Sequence, residues 1–269
     1  VQRLENADDI WVTSEFQRRA YVDSGVDPSK LTLIPVGIDT DIFNPGAEPI
    51  KLNAKKVYRF LYIGKGEWGG GVDLLLNSFY ESFKGKSNVE LVLVDAGSGD
   101  GQTSLRGLAD QFSAKPDAPS INYMIGDFTD AEFASLYTAC DCFVSPHRCE
   151  SYGMRVLEAM SCGLPVIVTG GGSTDDFVGD NVGYRVPAYR RRVGNNDTHP
   201  KLAGPGFYLE ADISALGAEM THVLYHPQQA AEVGKNASKL ILSSRRWDAS
   251  IKIASERIHL LSKKFAIGE

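Results

Sequence analysis

Two glutamates in the segment RCESYGMRVLEAMSCGLPVI, Glu150 and Glu158, stand eight positions apart around a small-residue turn. A carboxylate accepts two hydrogen bonds and its charge strengthens both, so each acid suits a pair of vicinal hydroxyls. A helix starting near Ser151 would turn the free amides of Tyr152, Gly153 and Met154 outward at its positive end. Such an end is an anion site, and Gly153 leaves room there for a phosphate. Seven residues from Ser151 to Glu158 amount to a rotation of about 700°, which places them on nearly the same face about 10 Å apart along the axis. That is near the span from a diphosphate to the ribose of its nucleoside. Glu158 is then expected to hold ribose, and Glu150 to face the group beyond the β-phosphate, a position that suits a sugar. The bland alternative is a helix-dipole partner at Glu150 and a solvated residue at Glu158. The acid pair of a glycosidase spans roughly 5 to 10 Å across one bond, and the anion site between these two argues against that role.

Two other loops offer backbone to a ligand. GKGEWGGG, with Gly64, Gly66 and the run Gly69 to Gly71, allows close approach and carries one cation, Lys65. Its glycines are in the wrong frame for a P-loop or a GxGxxG fingerprint. TGGGSTDDF, from Thr169 to Phe177, follows an apolar run, and Asp175 and Asp176 read as a helix N-cap and its neighbour. His147 and Arg148 directly precede the first acid. His147 reads either as a contact to sugar or phosphate or as a strand-end side chain satisfied by backbone.

The elements that must position these loops alternate. β-branched runs at 8–14, 31–37, 58–64, 89–97, 121–126, 140–146 and 164–170 are separated by stretches with apolar residues three and four apart. This alternation predicts an α/β fold with a doubly wound, Rossmann-like parallel sheet, whose ligands sit outside the carboxyl ends of the strands. Thr129 and Glu132 form a capping box for one of the helices. After residue 185 the text is polar and without period, which predicts a long loop; from Asp212 onward it is helical. The first 46 residues hold one strand-helix-strand unit and a Pro/Gly-bearing connector, too little to close a core. We therefore expect 1–46 to be the tail of a preceding domain, 47–245 the binding domain and 246–269 a C-terminal crossover helix.

Composition narrows the function classes. A formal net charge of -6 argues against a nucleic-acid partner, because neutralising phosphates asks for a basic face. No run approaches the roughly 18 apolar residues of a spanning helix, and a cytoplasmic location is expected. Cys140, Cys142, Cys149 and Cys162 lie in or beside apolar text without zinc-ligand spacing, so they are expected to be reduced core thiols.

Together these residues resemble the donor-binding half of the retaining, nucleotide-sugar-dependent glycosyltransferases of the GT-B fold, in their fourth sequence family, the group 1 type. Glu150 to Glu158 matches that family's E-x7-E motif, and ESYGM with LEAMSCGLPVI is similar to its usual text. GVDLLLNSF, GIDTDIFNP and RRWDASIKIASERI fall at the expected positions, so the resemblance runs from about residue 8 to 262. It implies transfer of a sugar from a nucleotide diphosphate to an acceptor with retention, Glu150 contacting the sugar and Glu158 the ribose. Backbone around Ser151 to Met154 would meet the phosphate and sugar, with Gly64, Lys65, Gly66, His147 and Arg148 completing the donor site. No cofactor and no metal are implied, because helix dipole and cations stabilise the leaving diphosphate. DTD at 39 to 41 reads as connector, not as a metal motif. The acceptor stays unassigned, and peripheral membrane contact is expected only through an N-terminal domain.

One departure matters. Where the family places a second and often a third cation on the diphosphate, this chain has Gly70 and Gly69. Arg148, Arg155 and the run Arg190 to Arg192 are the candidate substitutes, the last with a solvated loop as its alternative. A chain holding mainly the donor half is expected to bind a nucleotide sugar and to transfer poorly alone. A catalytically silent nucleotide-sugar-binding module and an epimerase of the same fold are the rival readings.

Overall fold

The computed structural model describes residues 4, 6–52, 57–96, 104–193 and 206–265. Its centre is a six-stranded parallel sheet built from β3 (Tyr58–Gly64), β4 (Val89–Asp95), β5 (Ser120–Ile125), β6 (Cys142–Ser145), β7 (Val166–Thr169) and β8 (Tyr184–Val186). The spatial order is β5-β4-β3-β6-β7-β8, the doubly wound arrangement expected from the alternating pattern. Every residue of β4 and of β7 is buried, as continuous apolar strands are when helices cover both faces of a parallel sheet.

Two cores result, one on each face. Along β3 the side chains alternate between them. Leu61 and Ile63 join Val92 and Val94 under α4 (Asp130–Thr138), α5 (Met154–Ser161) and α7 (Pro227–Ser244). Phe60 and Tyr62 join Leu91 and Leu93 under α2 (Val72–Phe83), α3 (Leu105–Ser113) and α6 (Ile213–Tyr225). The Thr129 and Glu132 capping box opens α4 as expected. Cys140, Cys142 and Cys162 are buried free thiols, whereas Cys149 is an exposed one, because it lies on the loop beyond β6.

The first segment pairs β1 (Ile10–Val12) in parallel with β2 (Leu31–Leu33) around α1 (Glu15–Asp23). It leans on α8 (Trp247–Phe265). Arg257 reaches Asp9, and the close approach of Gly37 to Trp247 leaves no room for a Cβ. Asp175 and Asp176 were expected as a helix N-cap and its neighbour, but both lie within a 3-10 turn, Ser173–Asp176, whose N-cap is Gly172, and Asp176 serves a distant helix. Its carboxylate accepts the Glu15 amide at the N-terminus of α1, at 2.6 Å and 161 positions away in sequence, while Asp175 accepts the Gly171 amide.

Of the long loop expected after residue 185, residues 194–205 lie outside the described residues. The described part finishes the sheet with β8 and then forms an antiparallel pair, β9 (Ala188–Arg192) with β10 (Phe207–Ala211). The polar character of these strands hid them, because both lie at the surface and bury few residues.

Two connections cross at the middle of the sheet, where β3 and β6 are neighbours but their following loops diverge. Gly71, at φ +70, enters α2 there, and a Cβ on it would run into the Pro146 carbonyl. Gly71→Ala is therefore expected to lower the unfolding free energy by at least about 2 kcal/mol, measured by urea denaturation. A loss within experimental error of zero would contradict this packing.

Candidate functional site

The divergence between β3 and β6 is the switch point at which open α/β sheets form a crevice. A cavity of about 200 Å³ lies there, bounded by the ends of both strands, by the glycine loop and by the start of α5. Gly64, Lys65, His147, Glu150 and Gly153 line it, and so do Tyr62, Gly70 and Arg155. Five of the sequence-chosen residues thus meet around one cavity, although they come from separate loops.

The helix after Glu150 starts later than its spacing suggests. Gly153 is its N-cap at φ +98, a left-handed conformation that a side chain would strain, and Thr174 crowds the place of a Cβ. The leading amides are therefore those of Met154, Arg155 and Val156, and Leu157 makes the first turn's bond back to Gly153. Tyr152 and Ser151 precede the helix. The Tyr152 amide already donates to Glu150 Oε1, at 3.2 Å, and its hydroxyl donates to the Val36 carbonyl, at 3.0 Å, so this side chain serves the connector. Ser151 is exposed, and Met154 packs against the core beneath α4 and α5. Six of the sequence-chosen residues, Gly66, Arg148, Ser151, Tyr152, Met154 and Glu158, fall outside the residues lining the cavity, Glu158 touching it only through its ion pair with Arg155.

Glu158 is not a solvated helix residue. It is only 7% exposed, held by the Tyr137 hydroxyl at 2.7 Å and by Arg155 at 2.8 Å. Both bonds fall on Oε2. Burial raises its pKa above the usual carboxylate value, although Arg155 and Tyr137 pull the other way. A buried carboxylate on the first turns of a helix beside a cleft is the kind of strained charge that functional sites retain. Tyr137 was invisible as a site residue, because it reads in sequence as one more aromatic on an apolar helix face.

Arg148 was a candidate for the diphosphate and is committed elsewhere. Its side chain is 4% exposed, and all five of its N–H donors are used. Nη1 and Nη2 fork onto Asp73 at 2.7 and 2.8 Å, Nε and Nη2 onto Glu210 at 2.6 and 3.3 Å, and Nη1 also reaches the Trp68 carbonyl. The guanidinium lies over the Trp68 ring, 4.7 Å from its centre. Burial opposes the charge, but the two carboxylates more than restore it and hold the pKa above the ordinary arginine value. Arg148 is thus an anchor joining the Trp68–Gly70 turn, α2 and β10 to the loop that carries His147 and Glu150.

The cations that do reach the cavity are Lys65 and Arg155. Lys65 is half exposed, 3.8 Å from Glu67. Arg155 spans the cavity wall and Glu158, its guanidinium 3.8 Å from the centre of the Phe133 ring. Arg190, Arg191 and Arg192 lie on β9 instead. At Gly70 and Gly64 the reason for glycine is Tyr62. Its hydroxyl would sit 2.5 Å from a Cβ on Gly70 and 2.7 Å from one on Gly64. It donates to the Lys65 carbonyl at 3.3 Å. A long side chain at position 70 has no room while that phenol lies under the loop.

His147 is 3% exposed. Its Nδ1 faces the Ser145 hydroxyl at 3.3 Å, whereas Nε2 is buried with no hydrogen-bond partner. Burial lowers its pKa, with Glu150 opposing, so the ring is neutral at pH 7. A buried polar atom left unpaired in a cavity wall is what a ligand hydroxyl would satisfy. Gly172 stands beside it, since a Cβ there would come within 3.6 Å of Nε2. The Thr174 hydroxyl, close to Gly153, is a second buried atom without a partner.

Comparison with known proteins agrees with this geometry. The family model described as glycosyl transferases group 1 matches residues 47–192. The D-inositol 3-phosphate glycosyltransferase of Segniliparus rotundus is 30% identical over 168 residues, covering 58% of this chain and 35% of that protein. The one from Kineococcus radiotolerans is 28% identical, covering 67% and 43%. This chain spans less than half the length of these relatives. Among solved structures, the sucrose-phosphate synthase of Thermosynechococcus elongatus superposes with a TM-score of 0.70 at 24% identity, covering 98% of this chain and 60% of that one. Anabaena Alr3699/HepE in complex with UDP-glucose superposes with a TM-score of 0.71 at 16% identity, covering 98% and 66%. Likeness at these identities establishes the fold. With the match across 47–192 covering more than half of its 269 residues, the chain belongs to the glycosyl transferases group 1 family, in the GT-B architecture.

Proposed function

We propose that this chain binds a nucleotide-diphosphate sugar at the β3/β6 crevice and supplies the donor half of a retaining, metal-independent glycosyl transfer. The observation that carries the reading is the meeting around one cavity of a carboxylate, Glu150, two cations, Lys65 and Arg155, and His147 with its unpartnered Nε2. Cations, an acid and a neutral imidazole suit phosphates flanked by hydroxyls. The solved relative bound to UDP-glucose supports the same ligand class.

In this reading Lys65 and Arg155, with the leading amides of α5, stabilise the charge that gathers on the diphosphate as the sugar departs. They take the part that a metal plays elsewhere. Glu150 and His147 face the sugar, Glu150 accepting hydroxyl protons and touching the reacting end. Glu158 holds the ribose through Oε1, while its Oε2 stays tied to Tyr137 and Arg155. We place the reaction in the cytoplasm, where nucleotide sugars are made.

Calorimetric titration with UDP-, GDP- and ADP-sugars tests the reading. Glu158→Ala is expected to weaken the preferred nucleotide by about tenfold or more. Glu150→Gln is expected to leave free nucleotide affinity within about threefold while abolishing preference among its sugars. Unchanged dissociation constants in Glu158→Ala for every ligand would remove the ribose assignment.

Stability gives an independent check on Glu158. Its pKa is raised in the folded state, so the unfolded chain releases that proton first, and folded-state stability falls as pH rises from the usual carboxylate range through the raised value. Glu158→Gln has no such proton to lose. Its melting temperature is expected to match the parent near pH 4, to exceed it as pH rises above the usual carboxylate range, and to keep that advantage at pH 8. A variant that is least stable, relative to the parent, at pH 8 would contradict the burial cost.

A further inference from the structure

Tyr62 stands on β3 two residues before Gly64 and brings the one phenol to the lining of the cavity. The residue is 3% exposed and packs with Phe60, Leu91 and Leu93 in the core under α2. Swinging the ring aside would open that close-packed core, so its hydroxyl is fixed in place beneath the glycine loop.

The obstacle at position 70 is a single atom. A Cβ on Gly70 would lie 2.5 Å from the Tyr62 hydroxyl oxygen, but 3.7 Å from the ring carbon that bears it and 3.9 Å from the Lys65 carbonyl, both ordinary contacts. Gly70 belongs to the short 3-10 turn Trp68–Gly70 and is not among the glycines with positive φ, so its backbone suits any side chain. Position 64 differs, because two ring carbons would stand 2.9 and 3.0 Å from a Cβ there as well. Exchange of the phenol for a phenyl ring therefore frees position 70 and leaves position 64 closed.

Position 70 lines the cavity, so what it carries sets the charge that a ligand meets. The charged side chains of the lining are Lys65 and Arg155 against Glu67 and Glu150. Lys65 lies 3.8 Å from Glu67, and Arg155 is ion-paired with Glu158, so each lining cation already has an acid beside it. A diphosphate esterified at both ends carries about two negative charges, and a free nucleoside diphosphate about three, because a terminal phosphate ionises again near pH 6. The third charge finds no cation of its own here.

We propose that Tyr62 is a specificity-determining residue whose hydroxyl, by keeping position 70 bare, holds the crevice at this charge and makes it favour the diphosphate diester of a nucleotide sugar over the free nucleoside diphosphate. The assignment to those two ligands rests on the donor reading above, whereas the exclusion at position 70 rests on the geometry alone. In transfer the diester is the substrate and the free diphosphate the product, so the hydroxyl eases product release at the expense of some leaving-group stabilisation.

Gly70→Lys and Gly70→Gln, each made in the parent and in Tyr62→Phe, are titrated with UDP and UDP-glucose, with the GDP and GDP-mannose and the ADP and ADP-glucose pairs, and with inorganic pyrophosphate as a probe lacking base and sugar. The parent is expected to bind a nucleotide sugar at least as tightly as its free nucleotide. In the Tyr62→Phe background, Gly70→Lys is expected to tighten the free nucleotide about tenfold or more and the nucleotide sugar by less, with Gly70→Gln within about threefold of its background. With Tyr62 in place, Gly70→Lys is expected to bring no gain. Should that variant fail to fold, Gly70→Ala makes the same comparison by melting temperature, with a loss expected in the parent and none in Tyr62→Phe. Equal gains from Gly70→Lys in both backgrounds, an equal gain from Gly70→Gln, or an equal cost of Gly70→Ala in both overturn the role of the hydroxyl. No gain from Gly70→Lys in Tyr62→Phe, or a parent that favours the free nucleotide over its sugar ester, overturns the charge selection. A pyrophosphate gain confined to Tyr62→Phe with Gly70→Lys, in chains that bind none of the nucleotides, leaves the hydroxyl's role standing and removes the donor reading.

Discussion

The buried guanidinium of Arg148 is the interaction on which the arrangement of the site depends. Five N–H groups, two carboxylates and one carbonyl tie four pieces of chain together at the mouth of the crevice. The backbone of the same residue donates to Gly69 and accepts from Leu209, so the loop leading to Glu150 is clamped from both sides. Such a charge is tolerated inside only because all its donors are paired. The consequence for function is positional: His147 and Glu150, immediately before and two residues after it, are presented by a loop with little freedom.

Around this anchor the polar groups fall into two sorts. Arg148, Ser161 and Tyr152 have their partners within the protein and hold loops to loops. His147 Nε2 and the Thr174 hydroxyl are buried and unpartnered, and Glu158 pays the cost of burial as a raised pKa. Of these, His147 lines the crevice, Thr174 stands against the cavity-lining Gly153, and Glu158 is bound to the cavity-lining Arg155. Buried groups left unpaired or unfavourably charged cost stability, a cost that preorganised sites accept.

Tyr62 explains the glycine loop better than the need for backbone freedom alone does. Its phenol lies beneath Gly64 and Gly70, and the room taken by its hydroxyl is room denied to a cation at position 70. The second cation of the crevice comes from α5 instead, as Arg155, bound to Glu158 on one side and facing the cavity on the other. A cation supplied in this way is tied to Glu158, so the cavity and that buried carboxylate are coupled through a single ion pair.

Much of this was legible in the amino-acid sequence, and for a physical reason. Short apolar runs such as 91–94 and 166–169 suit strands buried on both faces, and their alternation with helical periods points to a doubly wound sheet with its crevice at the strand ends. Local chemistry was legible too: the capping box at Thr129, and the glycines and acids around position 150. What only the tertiary structure decided depends on partners far away in sequence. Arg148 became an anchor because Asp73 and Glu210 lie beside it, 75 and 62 positions away. Glu158 became a buried acid because Tyr137 closes over it, and the segment after 185 became a ribbon because Phe207–Ala211 returns to pair with Ala188–Arg192. Spacing along a chain reports local faces and turns, whereas burial and charge pairing depend on which distant surfaces meet.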